Sequence, residues 1–219
     1  MRAKEFITER ASHHSSLPAI QQKLRALKPA LWDKELTISE IIETLETALR
    51  LHFIMFEEVL DTVPESEYAA VGLNGGYYNS YTGIITVGLT WHIEEVLNGE
   101  TREYYEDFIR LLCSIIAHEL KHQDQVDKSS HNAYNTPETD DIPAYLADHR
   151  ELEAYAAQTA EELQSQLDLD DILQKLKTDK GRDELGLYSE GLKVYNSYFY
   201  STPVLNKFIN KVYSILTTG

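Results

Sequence analysis

The chain has 219 residues, 42% of them hydrophobic, enough for one domain with a core of its own. Lys and Arg total 20 against 36 Asp and Glu, a formal net charge of −16. A surface this acidic repels phosphate backbones and anionic headgroups, so nucleic acid and membrane are set aside as partners.

The first sixty residues read as helical. Leu24, Leu27 and Leu31 mark one amphipathic stretch. Thr37 and Glu40 then form a capping box that opens IIETLETALRLHFIMFEEVL. That stretch is apolar nearly all round at Leu51, Phe53, Ile54, Met55 and Phe56, which predicts a buried helix. Residues 69–91 change character: they are β-branched, aromatic and punctuated by Gly72, Gly75, Gly76 and Gly83. They predict two or three short strands, a turn near Asn79–Gly83 and a strand at Ile84–Leu89. Gly75-Gly76 reads as a turn, since no GK[ST] follows to make a phosphate loop.

A long helix follows, from about Thr101 to His122, with Phe108, Leu111, Leu112, Ile115, Ile116 and Leu120 at helical spacing. Cys113 falls on this apolar helix and reads as core. Residues 123–147, polar and carrying Pro137 and Pro143, read as a long loop. Its acidic run Glu138–Asp141 reads as solvated. A helix starts near Asp148, and DDILQKL, a segment near Leu185–Tyr198 and a last helix from Ser201-Thr202-Pro203 to about Leu216 complete the chain. The fold class is α+β, mainly helical, with a small mixed sheet next to the long central helix. The chain is read as a single domain in three parts: N-terminal helices (1–62), sheet and central helices (63–160) and C-terminal helices (161–219).

A lone cysteine precludes an internal disulfide and favours a reducing compartment. The segment MRAKEFITERASHHSS has no apolar stretch of the signal-peptide kind, and apolar runs such as LLCSIIA are too short to span a bilayer. The expected location is cytoplasmic.

The chemistry lies in His118-Glu119-Leu120-Lys121-His122, an HExxH motif. Residues four apart on a helix share a face, so both imidazoles can converge on one ion. Zinc accepts neutral imidazole nitrogen and keeps four ligands in its tetrahedron. Glu119 points aside and can act as general base toward a water on the open position. The bland alternative is a helix end carrying two surface histidines.

A catalytic site needs a third protein ligand. The HExxHxxGxxH extension fails, because Gln125 and Lys128 stand where Gly and His belong. His131 and His149 are possible but lack a matching spacing. A Glu on the next helix is stronger: in DHRELEAYAAQTA, Glu151 is followed one turn later by the small Ala154, which lets two helices approach closely. Glu153 faces elsewhere and is the alternative.

HELKH followed by ELEAY resembles the gluzincin arrangement, an HExxH helix followed by Glu-x-x-Ala/Ser on the next. That is the pattern of thermolysin-like peptidases, minigluzincins, ImmA/IrrE-type regulatory peptidases and, more loosely, short phage-encoded proteins. The resemblance spans roughly residues 84–160. It implies a zincin-like fold, Zn²⁺ held by His118, His122 and Glu151, and hydrolysis of a peptide or protein substrate. Tyr155 stands where gluzincins often carry an Asp, Glu or Asn that orients a histidine. Tyr145, six residues before Glu151, is the candidate oxyanion donor, as in lethal-factor-like peptidases, with Tyr134 as alternative. Ile84–Leu89 occupies the place of the zincin edge strand that binds substrate backbone, although an ordinary interior strand fits equally. The function expected is zinc-dependent peptide-bond hydrolysis with Glu119 as base. The alternative is a catalytically silent, zincin-like metal-binding protein acting through protein–protein contact.

Overall fold

The computed structural model describes residues 17–59, 67–99, 102–128 and 141–218. His131, Tyr134, the His13-His14 pair and the start of the acidic run lie outside them. The chain forms two compact units: Met1–Tyr77 with Ile84–Ile109, and Tyr78–Gly83 with Arg110–Gly219.

In the first unit, α1 (Leu17–Ala26), α2 (Lys28–Leu31) and α3 (Ile38–Leu49) precede a 3-10 turn at Arg50–His52. The capping box holds: the Thr37 hydroxyl accepts from Glu40 N–H, and the Glu40 carboxylate accepts from Thr37 N–H at 2.9 Å. The helix read as continuing to Leu60 stops at Leu49. Phe53 takes a left-handed conformation (φ 55°), and Ile54–Glu58 is a strand, β1. Its burial alternates, with Ile54 and Phe56 inside and Met55 outside, so what resembled an all-round apolar helix is a period-two strand rich in β-formers.

A short helix, α4 (Glu67–Ala70), leads to β2 (Leu73–Asn79) and β3 (Ile84–Leu89). Gly75-Gly76 lies inside β2, not in a turn. The expected turn is present: Asn79 Oδ1 accepts from the N–H of Tyr81 and Thr82, and Gly83 N–H closes on Asn79 O at 2.7 Å. The strand order is β1-β3-β2, with β1 and β3 parallel and Ile54 opposite Ile85. β3 is therefore the middle strand and not an edge. Its buried residues Ile85, Val87 and Leu89 suit a strand flanked on both sides. Glu46, on α3, accepts from Phe56 N–H at 3.0 Å and occupies a ladder donor of β1. Behind β3, α5 (His92–Leu97) packs Ile93 and Leu97 inward.

Helix α6 (Arg102–Lys128) is 27 residues long and contributes to both units. In the first, Tyr105 is fully buried and donates its hydroxyl to Leu24 O at 2.8 Å. In the second, it carries the HExxH motif and runs six residues past His122, so QDQVDK is helix and not loop. Cys113 is buried, as expected. Helix α7 (Ile142–Ala147) occupies the end of the expected loop, capped by Asp141 with Pro143 in its first turn. Helix α8 (His149–Gln164) is capped by Asp148, whose Oδ1 accepts from Arg150 N–H at 2.8 Å. The chain then forms α9 (Leu169–Lys175), α10 (Asp179–Leu185), α11 (Glu190–Phe199) and α12 (Pro203–Thr218).

The second unit's core joins Leu152, Ala156, Ala160 and Leu163 of α8 to Tyr195 of α11 and Phe208 and Val212 of α12. Tyr195 stacks on Phe208 with ring centroids 3.8 Å apart and donates its hydroxyl to Leu146 O. Helices α8 and α11 approach closely at Gly191, where a Cβ would lie 2.4 Å from Thr159 Oγ1. No helix among the described residues is long and apolar enough to cross a membrane.

Candidate metal centre

His118 and His122 lie one turn apart on α6, both buried, with their Nε2 atoms 3.1 Å from each other. Glu151 enters from the first turn of α8, which the Asp148 cap holds in place. Its Oε2 is 3.5 Å from His118 Nε2 and its Oε1 is 3.5 Å from His122 Nε2. The three side chains form a buried His-His-Glu group whose ligand atoms all lie within 4.8 Å of one another, a group that could hold a metal ion.

The residues just outside this group decide what it can bind. His118 Nδ1 is 3.2 Å from Gln158 Oε1, and the Gln158 amide nitrogen donates to Glu162 Oε1 at 3.0 Å. His122 Nδ1 is 3.1 Å from Gln125 Oε1, and the Gln125 amide nitrogen donates to Arg150 O at 3.0 Å and faces Glu153 Oε2. Each amide N–H₂ is turned toward acceptors, so each amide oxygen must accept from an imidazole N–H. When neutral, each imidazole then carries its proton on Nδ1 and presents a bare Nε2 lone pair. Two lone pairs and a carboxylate converge with no hydrogen among them, an arrangement that a shared cation neutralises. Burial raises the proton affinity of Glu151, but the imidazoles of His118 and His122 beside it and the Tyr145 hydroxyl it accepts from outweigh that and hold its carboxyl well below the usual range. This favours the anionic form that a metal ligand requires.

Glu153 lies outside this group. It pairs with Lys211 of α12 and sits 3.4 Å from Lys121. Burial works against its charge, yet these cations bring its carboxyl down to about 2. The two-residue offset from Glu151 carries it to another face of α8. His149 is exposed and lies 3.7 Å from Glu153, away from the group.

Glu119 is buried beside the histidines. Burial raises its proton affinity, the neighbouring imidazoles of His118 and His122 partly offset that, and the backbone N–H of Tyr78, near the end of β2, donates to it. Tyr145 donates its hydroxyl to Glu151 Oε2 at 2.7 Å, so in the structure it engages the carboxylate of the group. Tyr155 packs its ring edge-on to His118, centroids 4.7 Å apart; burial pushes its phenol up to about 12. The orienting partner of His118 is one turn further on, at Gln158. Sequence reasoning missed Gln125, Gln158 and Glu162. The usable signals were Gln three residues after His122 and Gln seven after Glu151, each on the ligand's own helical face.

No family model, curated protein or solved structure matches the chain.

Proposed function

We infer that this chain is a zinc-dependent peptidase of gluzincin type. The observation that carries the reading is the convergence of two bare Nε2 atoms and Glu151 beside a second buried carboxylate, Glu119, that neither imidazole requires as a partner. A purely structural site needs the first three groups and not the fourth.

His118, His122 and Glu151 are the residues that would hold the metal. Zinc bound by them would supply Lewis acidity, polarising a carbonyl and making water a competent nucleophile near neutral pH. Glu119 takes the proton of the attacking water on its carboxylate and returns it to the leaving amide nitrogen. Its burial, which favours the protonated form, suits the second half of that transfer. Tyr145 fixes Glu151 during this cycle, and its hydroxyl can reach a developing oxyanion only by leaving that carboxylate. Given the net charge of −16, neutral or basic peptides are the favoured substrates.

The test is Glu119→Gln assayed on a peptide library alongside metal analysis. The reading expects hydrolysis to fall by at least about 10²–10⁴-fold while zinc is retained. Zinc retained by the native chain with no peptide cleaved would instead favour a silent metal-binding protein.

A further inference from the structure

Glu162 has no part in the proposed chemistry, yet it is 1% exposed and heavily engaged. Its Oε1 accepts from the Gln158 amide at 3.0 Å. Its Oε2 accepts from the Ser189 hydroxyl at 2.5 Å and faces Gly191 N–H at 3.4 Å. Ser189 is also the N-cap of α11, accepting from Leu192 N–H at 3.1 Å. A continuous polar chain therefore runs from the start of α11 through Ser189, Glu162 and Gln158 to His118.

A glutamine alone cannot fix the proton of a histidine. Its amide offers an oxygen in one orientation and an N–H in the other, and the two orientations favour opposite imidazole tautomers. A carboxylate has no such ambiguity, because an ionised one only accepts. With its second oxygen occupied by Ser189 and Gly191, Glu162 leaves one orientation for Gln158.

We propose that Glu162 is a positioning residue for the metal centre: it orients Gln158 so that only the amide oxygen meets His118 Nδ1, which keeps the Nε2 lone pair directed at Glu151 and His122. The proposal rests on the metal-centre reading, and it gives the C-terminal helices a part in that centre. In Glu162→Gln, the amide oxygen goes to Ser189 and Gly191, and its N–H₂ then opposes the N–H₂ of Gln158. Gln158 relieves this by turning over and presenting N–H to His118, which moves the imidazole proton to Nε2. The exchanged pair Gln158→Glu/Glu162→Gln restores the pattern with roles swapped. A carboxylate then accepts from both His118 Nδ1–H and the new amide, whose oxygen still meets Ser189.

The experiment compares the native chain, Glu162→Gln and the exchanged pair. Long-range ¹H–¹⁵N correlation reads the His118 tautomer in metal-free protein, chelator competition reads zinc affinity, and thermal melting confirms folding. The expected result is Nδ1–H in the native chain, Nε2–H with about 10–100-fold weaker zinc binding in Glu162→Gln, and recovery of both in the exchanged pair. A native chain with Nε2–H, a Glu162→Gln chain with native tautomer and affinity, or a folded exchanged pair that recovers neither would overturn the proposal. A native chain with Nδ1–H that takes up no zinc would overturn the metal centre and leave the tautomer assignment standing.

Discussion

Tyr145 illustrates how much depends on one hydrogen bond. Its hydroxyl lies 2.7 Å from Glu151 Oε2, so Tyr145→Phe removes a donor that anchors this carboxylate. Zinc affinity should fall by roughly tenfold in a chelator competition, the lower end for lost partners of ligands. A loss of turnover at unchanged affinity would instead assign the phenol to the oxyanion. At the same scale, His52 is a liability: among the described residues neither of its buried ring nitrogens has a hydrogen-bond partner. Burial, and then the charge of Lys23, lower its proton affinity from the ordinary 6.5. The folded state thus favours neutral His52. The stability this carries is full above 6.5 and is lost as pH falls toward the depressed folded value. His52→Leu should therefore flatten the decline in melting temperature between about pH 7 and pH 5. An unchanged slope would show that His52 titrates as freely folded as unfolded. The three residues of the buried group were legible in sequence because helical spacing dictates which residues share a face. His118 and His122 sit four apart, and Glu151 precedes a small residue. Gln125, Gln158 and Glu162 were not, since an amide has no motif and gains meaning only once the ligand face is known.

Elements were legible where a local rule decides them. The Thr37–Glu40 box and the Asn79–Gly83 turn each satisfy backbone groups with nearby side chains, and both stand in the structure. Errors arose where length and neighbours decide. Ile54–Glu58 is too short for periodicity to separate strand from buried helix. QDQVDK is polar, but it extends a helix already nucleated, which makes continuation inexpensive. The place of β3 between β1 and β2 is a long-range pairing that no local signal encodes. The close approach of α8 and α11 offers a test at this scale. Gly191→Ala brings a methyl group to 2.4 Å from Thr159 Oγ1 and should destabilise the protein. The denaturant midpoint should drop by the equivalent of about 1–3 kcal/mol, the usual range for overpacking. A neutral effect would mean the two helices separate without loss.

For the whole molecule, net charge and the proposed metal would act in opposite directions on stability. A formal charge of −16 opposes the compact state by self-repulsion, and the buried Glu151 carboxylate is part of it. A cation bound only by the folded chain offsets this by mass action, about 4 kcal/mol when free metal is a thousandfold above Kd. Removing metal with a chelator should therefore lower the melting temperature of the native chain by several degrees and leave Glu151→Ala unmoved. Equal shifts in both would place the metal elsewhere.

His118, His122 and Glu151 are proposed to hold one cation. Elemental analysis of protein purified without added zinc, comparing the native chain with Glu151→Ala and Glu153→Ala, tests it most directly. Close to one zinc per chain is expected in the native protein and in Glu153→Ala, and near none in Glu151→Ala. A native chain free of metal, or zinc retained in full by Glu151→Ala, would contradict it.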